Sequence, residues 1–180
     1  SRLGVDLKKL KQHGLRHCYL SMNGADNDDY YEQIDEMRCA TKKVQALVNL
    51  KHNKFVIDTG TIIVKGINDN AIERMLHLFK IYNIENVVCR IKNVGNIGRS
   101  MTSGFGIGGQ EDNYTLSGLV KLFTKQTGLS EDYIYSWQNR PIYQNDAPEV
   151  DSFLAIWNNL KTLFNIQTFQ PERIAEIPFE

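Results

Sequence analysis

The segment Thr61–Asn70 has the sequence TIIVKGINDN and decides the predicted fold. Its apolar run, Ile62 to Val64, is typical of a strand that is buried on both faces, as strands of parallel sheets are. A lysine, a glycine and then polar residues end the run, and Asn68 or Asp69 can cap the helix whose pattern follows at once. The segment therefore predicts a strand–turn–helix unit of an α/β protein.

The rest of the chain repeats this alternation. Strands are predicted near residues 17–22, 55–64 and 86–92, with Gly60 as a weak point or bulge in the second strand. Helical patterns lie around these strands, at 7–10, 30–35, 44–50, 72–83, 115–127 and 148–164. Strands that alternate with helices pair in parallel through right-handed crossovers, so the three strands are expected to be parallel neighbours.

Composition excludes several classes of function. Lys plus Arg and Asp plus Glu both number 21, so the net charge is zero and no nucleic-acid partner is indicated. No apolar run approaches the roughly 18 residues of a membrane span, so no membrane partner is expected. The three cysteines, Cys18, Cys39 and Cys89, are scattered, which favours a reducing, cytoplasmic location and no metal site built from this chain.

Polar residues follow each predicted strand, at the edge of the sheet where α/β proteins bind ligands. The candidate site residues are Ser21, Asn23, Lys65, Gly66, Asn68, Asp69 and Arg99. Because parallel strands end at the same edge, we expect these residues to share one rim and to form a small-molecule site. A plain capped turn also fits the Thr61–Asn70 segment when that segment is taken alone.

Several segments resemble the second half of the partial barrel of radical S-adenosylmethionine (SAM) enzymes. The likeness is closest to the Fe–S oxidoreductases that include archaeal pterin-methylating proteins. The segments are KLKQHGLRHCYLSMNG (9–24), TIIVKGIND (61–69) and VVCRIKNVGNIGR (87–99), followed by Tyr114-Thr115-Leu116 and Gln126-Thr127-Gly128. The resemblance covers residues 7 to 135.

The resemblance implies that residues 1–135 form the second half of a TIM-like (βα) barrel of parallel strands, and that residues 136–180 form a C-terminal helical extension. It implies SAM and a 4Fe-4S cluster as cofactors of the full-length protein, whose radical chemistry would act on an unknown, small-molecule substrate. Ser21 and Asn23 would match the strand end that contacts the ribose, and Lys65, Asn68 and Asp69 would match the next strand end. Arg99 would face a carboxylate of substrate or cofactor.

Two hallmarks of that family are absent from this sequence, namely the Cys-x3-Cys-x2-Cys cluster motif and the glycine-glycine-acid motif that binds the methionine amine of SAM. The sequence also begins without Met, and residues 7–10 already have the pattern of a helix interior. We therefore expect a C-terminal piece that is inactive alone, binds no cofactor by itself and has the missing N-terminal half as its partner.

Two other classes of protein stay open. A non-redox α/β-barrel lyase would use Lys65 as a Schiff-base amine. A non-catalytic interaction domain would instead present an exposed apolar patch. In every case half a barrel leaves an open sheet edge, which another strand must cover or which leads to self-association.

Overall fold

A computed structural model describes residues 6–85, 87–94, 114–132, 150–157 and 160–167, the last two segments as backbone only. Its helices are α1 (Leu7–Gln12), α2 (Asp28–Asp35), α3 (Ala40–His52), α4 (Ala71–Ile81) and α5 (Leu116–Thr127). Its strands are β1 (His17–Ser21), β2 (Val56–Ile63), β3 (Val87–Asn93), β4 (Val150–Trp157) and β5 (Leu160–Gln167). No described helix is both long and apolar enough to cross a bilayer.

Several helices begin and end at residues whose chemistry sets the boundary. The carboxylate of Asp6 accepts hydrogen bonds from two backbone N–H groups of α1, and the Asn27 amide oxygen accepts one from α2. The Thr115 hydroxyl does the same for α5. These caps satisfy N–H groups that have no partner within the helix. Gly128 ends α5 in the left-handed conformation, which confirms the predicted stop.

The strands form one sheet in the order β1-β2-β3-β5-β4. β1 pairs with β2 and β2 with β3, both in parallel, which confirms the prediction for these three strands. β5 adds in parallel to β3, and β4 lies antiparallel to β5 at the edge. The molecule is therefore an α/β protein with a mixed sheet whose first three strands follow one another in sequence order.

The prediction of a helix over residues 148–164, as part of a C-terminal helical extension, is wrong. The described residues of this segment form two strands. β4 and β5 form an antiparallel hairpin, in which Trp157 pairs with Leu160 across residues 158 and 159. Short apolar runs fit helical and strand periods alike, and the residues of 150–157 and 160–167 include the Val, Ile, Phe, Trp and Thr that strands favour.

One apolar core joins the helices to a single face of the sheet. The strands contribute alternate residues, among them Ile57, Ile63, Val87, Cys89 and Ile91. Opposite them lie buried residues of three helices: Leu47 and Leu50 of α3, Ile72, Met75, Leu76 and Phe79 of α4, and Leu119, Val120 and Phe123 of α5. The sheet advances in one direction from β1 through β3. Right-handed crossovers that all advance in one direction place their helices on one side of a sheet.

The opposite face carries no described helix, and we call it the open face. By strand alternation it presents Tyr19, Ser21, Asp58, Gly60, Arg90 and Lys92. Tyr19 is 56% exposed, whereas Asp58 is 2% exposed. The open face is therefore partly exposed and carries charged side chains.

Candidate functional site

The turn after β2 explains why the apolar run ends in a charge and a glycine. Gly66 has a φ of +80°, a conformation that glycine adopts without strain. Its N–H donates to both carboxylate oxygens of Asp69, at 3.1 and 3.0 Å. The Val64 carbonyl accepts from the N–H groups of Ile67 and Asn68. The Lys65 side chain is exposed to solvent, so a charge at this position incurs no burial cost.

Asn68 holds the ends of β1 and β2 together. Its side chain is fully buried, and its amide nitrogen donates to the carbonyls of Asn23 and Ile62, at 2.8 and 2.7 Å. Its amide oxygen accepts from the N–H of Val64 at 2.7 Å. Both amide protons therefore bond to backbone carbonyls. Asn68 fixes the shape of the loop because its side chain satisfies backbone groups at the ends of β1 and β2.

Asn23 does the same from the other strand. It is 4% exposed, its amide oxygen accepts from the N–H of Ile62 at 3.0 Å, and its nitrogen donates to Asp35 at 2.9 Å. The two predicted site residues Asn23 and Asn68 are therefore brought together, as part of one buried network. In this geometry they position the rim of the sheet, and a direct contact of either with a cofactor stays a prediction.

The prediction that Asn68 or Asp69 caps α4 is wrong. Asn68 bonds backwards to β2, and the N-cap position is Asn70, which makes no capping bond with its side chain and instead accepts from the Tyr30 hydroxyl at 2.7 Å. The N–H of Glu73 is satisfied from another helix, by the Gln126 amide oxygen at 2.8 Å. A cap supplied by a residue 53 positions away leaves no local pattern in the sequence.

Asp69 joins the turn after β2 to two residues of another part of the chain, Tyr114 before α5 and Gln126 near the end of α5. Its carboxylate accepts from the Tyr114 hydroxyl at 2.9 Å, and its carbonyl accepts from the Gln126 amide at 2.5 Å. Burial raises the pKa of Tyr114 to about 12, and the bond to Asp69 contributes because it favours the protonated hydroxyl. The amide of Asn93, at the end of β3, donates to the Tyr114 carbonyl at 3.0 Å. The rim is thus a connected set of loops from β2, β3 and α5.

The other predicted residues have separate places. Ser21 ends β1 on the open face, in register with Gly60. Lys65 and Gly66 lie exposed in the turn after β2. Arg99 lies outside the described residues, so its predicted place on the rim stays a prediction.

The centre of the open face holds an ion pair that the sequence analysis missed. Arg90 of β3 reaches Asp58 of β2, with an Nη2–Oδ2 distance of 2.6 Å and Nε within 2.8 Å of Oδ2 and 3.0 Å of Oδ1. The Asp58 side chain is 3% exposed and that of Arg90 is 32% exposed. His17 approaches the same carboxylate at 3.9 Å. A buried carboxylate needs such a partner, and the pair fixes the guanidinium on this face.

Tyr19 lies beside this pair and above Gly60. Tyr19 and Asp58 are register partners, and a Cβ atom added at Gly60 would collide with the Tyr19 hydroxyl. Gly60 pairs without interruption with both neighbouring strands, so it is not a bulge; its missing side chain makes room for the phenol. Burial raises the pKa of Tyr19, and the Asp58 carboxylate raises it further.

Lys92 is the second cation on the open face. It is partly buried and stands two residues after Arg90 on β3. Burial lowers the pKa of Lys92, the Arg90 guanidinium lowers it further, and Asp58 acts in the opposite direction. An acid within the apolar run FVIDTGTIIV was the signal that could have pointed to the open face, because a lone acid in such a run needs a cation opposite.

The cysteines do not fit an iron–sulfur cluster. Cys89 is buried within the helix-side core, Cys18 packs against the same core, and Cys39 lies in a separate small cluster with Tyr31. Burial raises the pKa of Cys89 to about 12, which disfavours the thiolate that a metal requires. Among the described residues no group of three His, Cys, Asp or Glu side chains could hold a metal ion.

In comparisons with known proteins, no family model and no curated protein matches the chain.

Proposed function

We propose that this chain is the C-terminal half of the partial barrel of a radical SAM Fe–S oxidoreductase. In that enzyme its open face and the rim after β1 and β2 would form part of the SAM and substrate cleft. The observation that carries the proposal is the winding of the sheet: β1, β2 and β3 are parallel and sequential, their helices cover one face, and charged residues occupy the other. Barrels have this arrangement, with helices outside and the strands' other face inside.

The rim supports the same proposal. The turn at Gly66 to Asp69 belongs to one segment of the family resemblance, and Tyr114 and Gln126 belong to two others. All three meet at Asp69 through hydrogen bonds. Segments that are distant in sequence yet pack on one loop at the carboxyl ends of parallel strands are expected of a site at that end of a barrel.

The edge of the sheet at β1 is where the missing half would attach. Among the described strands β1 has one neighbour, β2. An edge strand has unpaired backbone N–H and C=O groups, and a preceding parallel strand would satisfy them. On the far side the β4–β5 hairpin ends the sheet with an antiparallel strand, so the barrel we propose is partial and opens on that side.

The cluster itself would have to be held by the missing half, because the described residues of this chain do not fit it. When bound there, the cluster and SAM would supply radical chemistry. The part of this chain is to hold cofactor and substrate in line and to exclude water. We accordingly expect residues 1–180 to be inactive alone.

Calorimetric titration with SAM tests the proposal. We expect weak or no binding by residues 1–180, and at least tenfold tighter binding by the protein expressed with the coding sequence upstream of Ser1. In that longer protein Ser21→Ala should weaken binding, because Ser21 lies on the open face at the end of β1, whereas Gln45→Ala on the exposed side of α3 should not. Tight binding by residues 1–180 alone would contradict the half-site arrangement.

A further inference from the structure

The backbone of β1 uses only one of its two sides for pairing with β2. The Arg16 carbonyl accepts from the N–H of Val56 at 2.8 Å, and the Met22 N–H donates to the Gly60 carbonyl at 2.8 Å. Every second residue of a parallel strand bonds to the same neighbour, so the N–H and C=O groups of the residues between point away from β2. These residues are His17, Tyr19 and Ser21. No other described strand pairs with them.

Exposed apolar side chains concentrate beside this edge. Among the described residues seven large apolar side chains are exposed, and four of them lie on α1, on β1 or next to them: Leu10, Leu15, Tyr19 and Val56. The N–H of Leu15 donates to the Leu10 carbonyl at 3.0 Å, and Val56 is the register partner of His17. Apolar side chains that are exposed beside an unpaired strand edge are typical of an interaction surface.

The amino end of the edge is basic. Residues 7–25 include no Asp or Glu, and they include four cations, Lys8, Lys9, Lys11 and Arg16. None of these cations forms an ion pair with an acid of the described residues. Lys11 and Arg16 donate to backbone carbonyls, and the preceding acid, Asp6, accepts from backbone N–H groups. The protein as a whole has no net charge, so this end has a local excess of positive charge.

A strand that pairs in parallel with β1 would begin at this basic end, because parallel strands run in the same direction. Arg16 Nη1 donates to the Lys11 carbonyl, which holds the end of α1 against the start of β1. Acidic residues at the beginning of the added strand would therefore lie near the cations, and charges of opposite sign across an interface favour association. Apolar residues further along would cover the exposed part of Tyr19.

We propose that the edge of β1 and the basic segment 8–16 form one interaction surface for a strand that is acidic at its amino end and apolar beyond it. The occupant is a strand of the missing N-terminal half, and in this the inference rests on the proposed function. It adds the charge of that strand and the three residues to which it bonds. In a parallel pairing, β1 of a second copy would instead place two basic ends side by side.

Amide hydrogen exchange, followed by NMR on ¹⁵N-labelled protein, tests the pairing. In residues 1–180 we expect the N–H of Tyr19 to exchange about 100-fold faster than that of Leu20, whose N–H points to β2. In the protein expressed with the coding sequence upstream of Ser1, exchange at Tyr19 should slow by about 100-fold, while Leu20 stays protected. Fast exchange at Tyr19 in the longer protein would overturn the proposal. Slow exchange already in residues 1–180 would also overturn it, and sedimentation as a dimer would then identify a second copy as the occupant.

The acidic character of the partner strand is tested in the longer protein with Lys8→Gln/Lys9→Gln. We expect exchange at Tyr19 to become about threefold faster, both in this variant and in the unmodified protein at about 0.5 M NaCl, because exposed charge pairs are weak and salt screens them. The control Lys121→Gln/Lys125→Gln removes two exposed lysines of α5 and should change nothing. Equal rates in the two variants would overturn an acidic partner.

The exchange measurement requires neither SAM nor iron. A longer protein that binds no SAM can still protect the Tyr19 N–H, and a longer protein that binds SAM can leave it unprotected. The proposed function and this interaction surface therefore fail separately.

Discussion

Replacing Asn68 by alanine removes the side chain that joins the ends of β1 and β2. Three hydrogen bonds of 2.7–2.8 Å are lost, and the N–H of Val64 and the carbonyls of Asn23 and Ile62 lose these partners. Each such bond is worth about 1 kcal/mol net, and more where the remaining group stays buried and unsatisfied. We therefore expect the free energy of unfolding to fall by about 3 kcal/mol, a large part of the roughly 5–15 kcal/mol that stabilises a domain.

Urea denaturation followed by circular dichroism measures this loss. With a denaturant slope of about 2 kcal/mol per molar, a loss of that size lowers the urea midpoint by about 1.5 M. The matched control is Asn70→Ala, which removes the same side chain two positions away, where it is exposed and has one bond, from Tyr30. We expect the control to lose under about 1 kcal/mol. Equal midpoints for the two variants would refute the structural role assigned to Asn68.

Three further variants test other parts of the structure. Gln126→Ala should lower the free energy of unfolding by about 1–2 kcal/mol, measured by urea denaturation, because it removes the cap of α4. The control Gln45→Ala loses a bond within α3 and should lower it by under about 0.5 kcal/mol. Equal losses would contradict the interhelical cap. Gly60→Ala should displace Tyr19 and alter tyrosine fluorescence at a cost of about 1 kcal/mol, and in a Tyr19→Ala background that cost should vanish; an unchanged cost there would place the clash elsewhere. Burial raises the pKa of Cys89 from 9.0 to about 12, so the contribution of this thiol to stability is complete below pH 9 and is lost as the pH rises towards 12. Cys89→Ala should therefore show a smaller fall in urea midpoint between pH 8.5 and 11 than the unmodified protein. An identical fall would show that the thiol does not titrate on unfolding.

The alternation of strands and helices could be predicted because local sequence patterns determine it. The apolar runs around Ile57 and Ile91 and the amphipathic pattern of α4 each specify their own element, and the parallel pairing follows from the crossover lengths between them. The C-terminal hairpin could not be predicted in this way. Its apolar residues fit the helical spacing as well as a strand, and pairing with β3 across a long stretch of chain decides between them.

The sequence could predict where several of the candidate residues lie, whereas their role in a binding site stays a prediction. Asn23 and Asn68, which follow β1 and β2, do meet at one end of the sheet, yet their amides form hydrogen bonds within the protein, to backbone groups and to the Asp35 carboxylate. The charged pair of Asp58 and Arg90 was missed because the two residues are 32 positions apart and meet only through the register of β2 with β3. Which face of a strand lacks helices depends on the order of all the strands, and that order is a property of the whole chain.

Formation of 5′-deoxyadenosine is a direct test of the proposal that this chain completes the partial barrel of a radical SAM enzyme. The protein is expressed with the coding sequence upstream of Ser1, reconstituted anaerobically with iron and sulfide, reduced with dithionite and supplied with SAM, and the nucleoside is quantified by chromatography. We expect a Cys-x3-Cys-x2-Cys motif in the upstream segment, 5′-deoxyadenosine from the longer protein and none from residues 1–180 treated in the same way. An upstream segment without that motif, together with no 5′-deoxyadenosine from the longer protein, would contradict it.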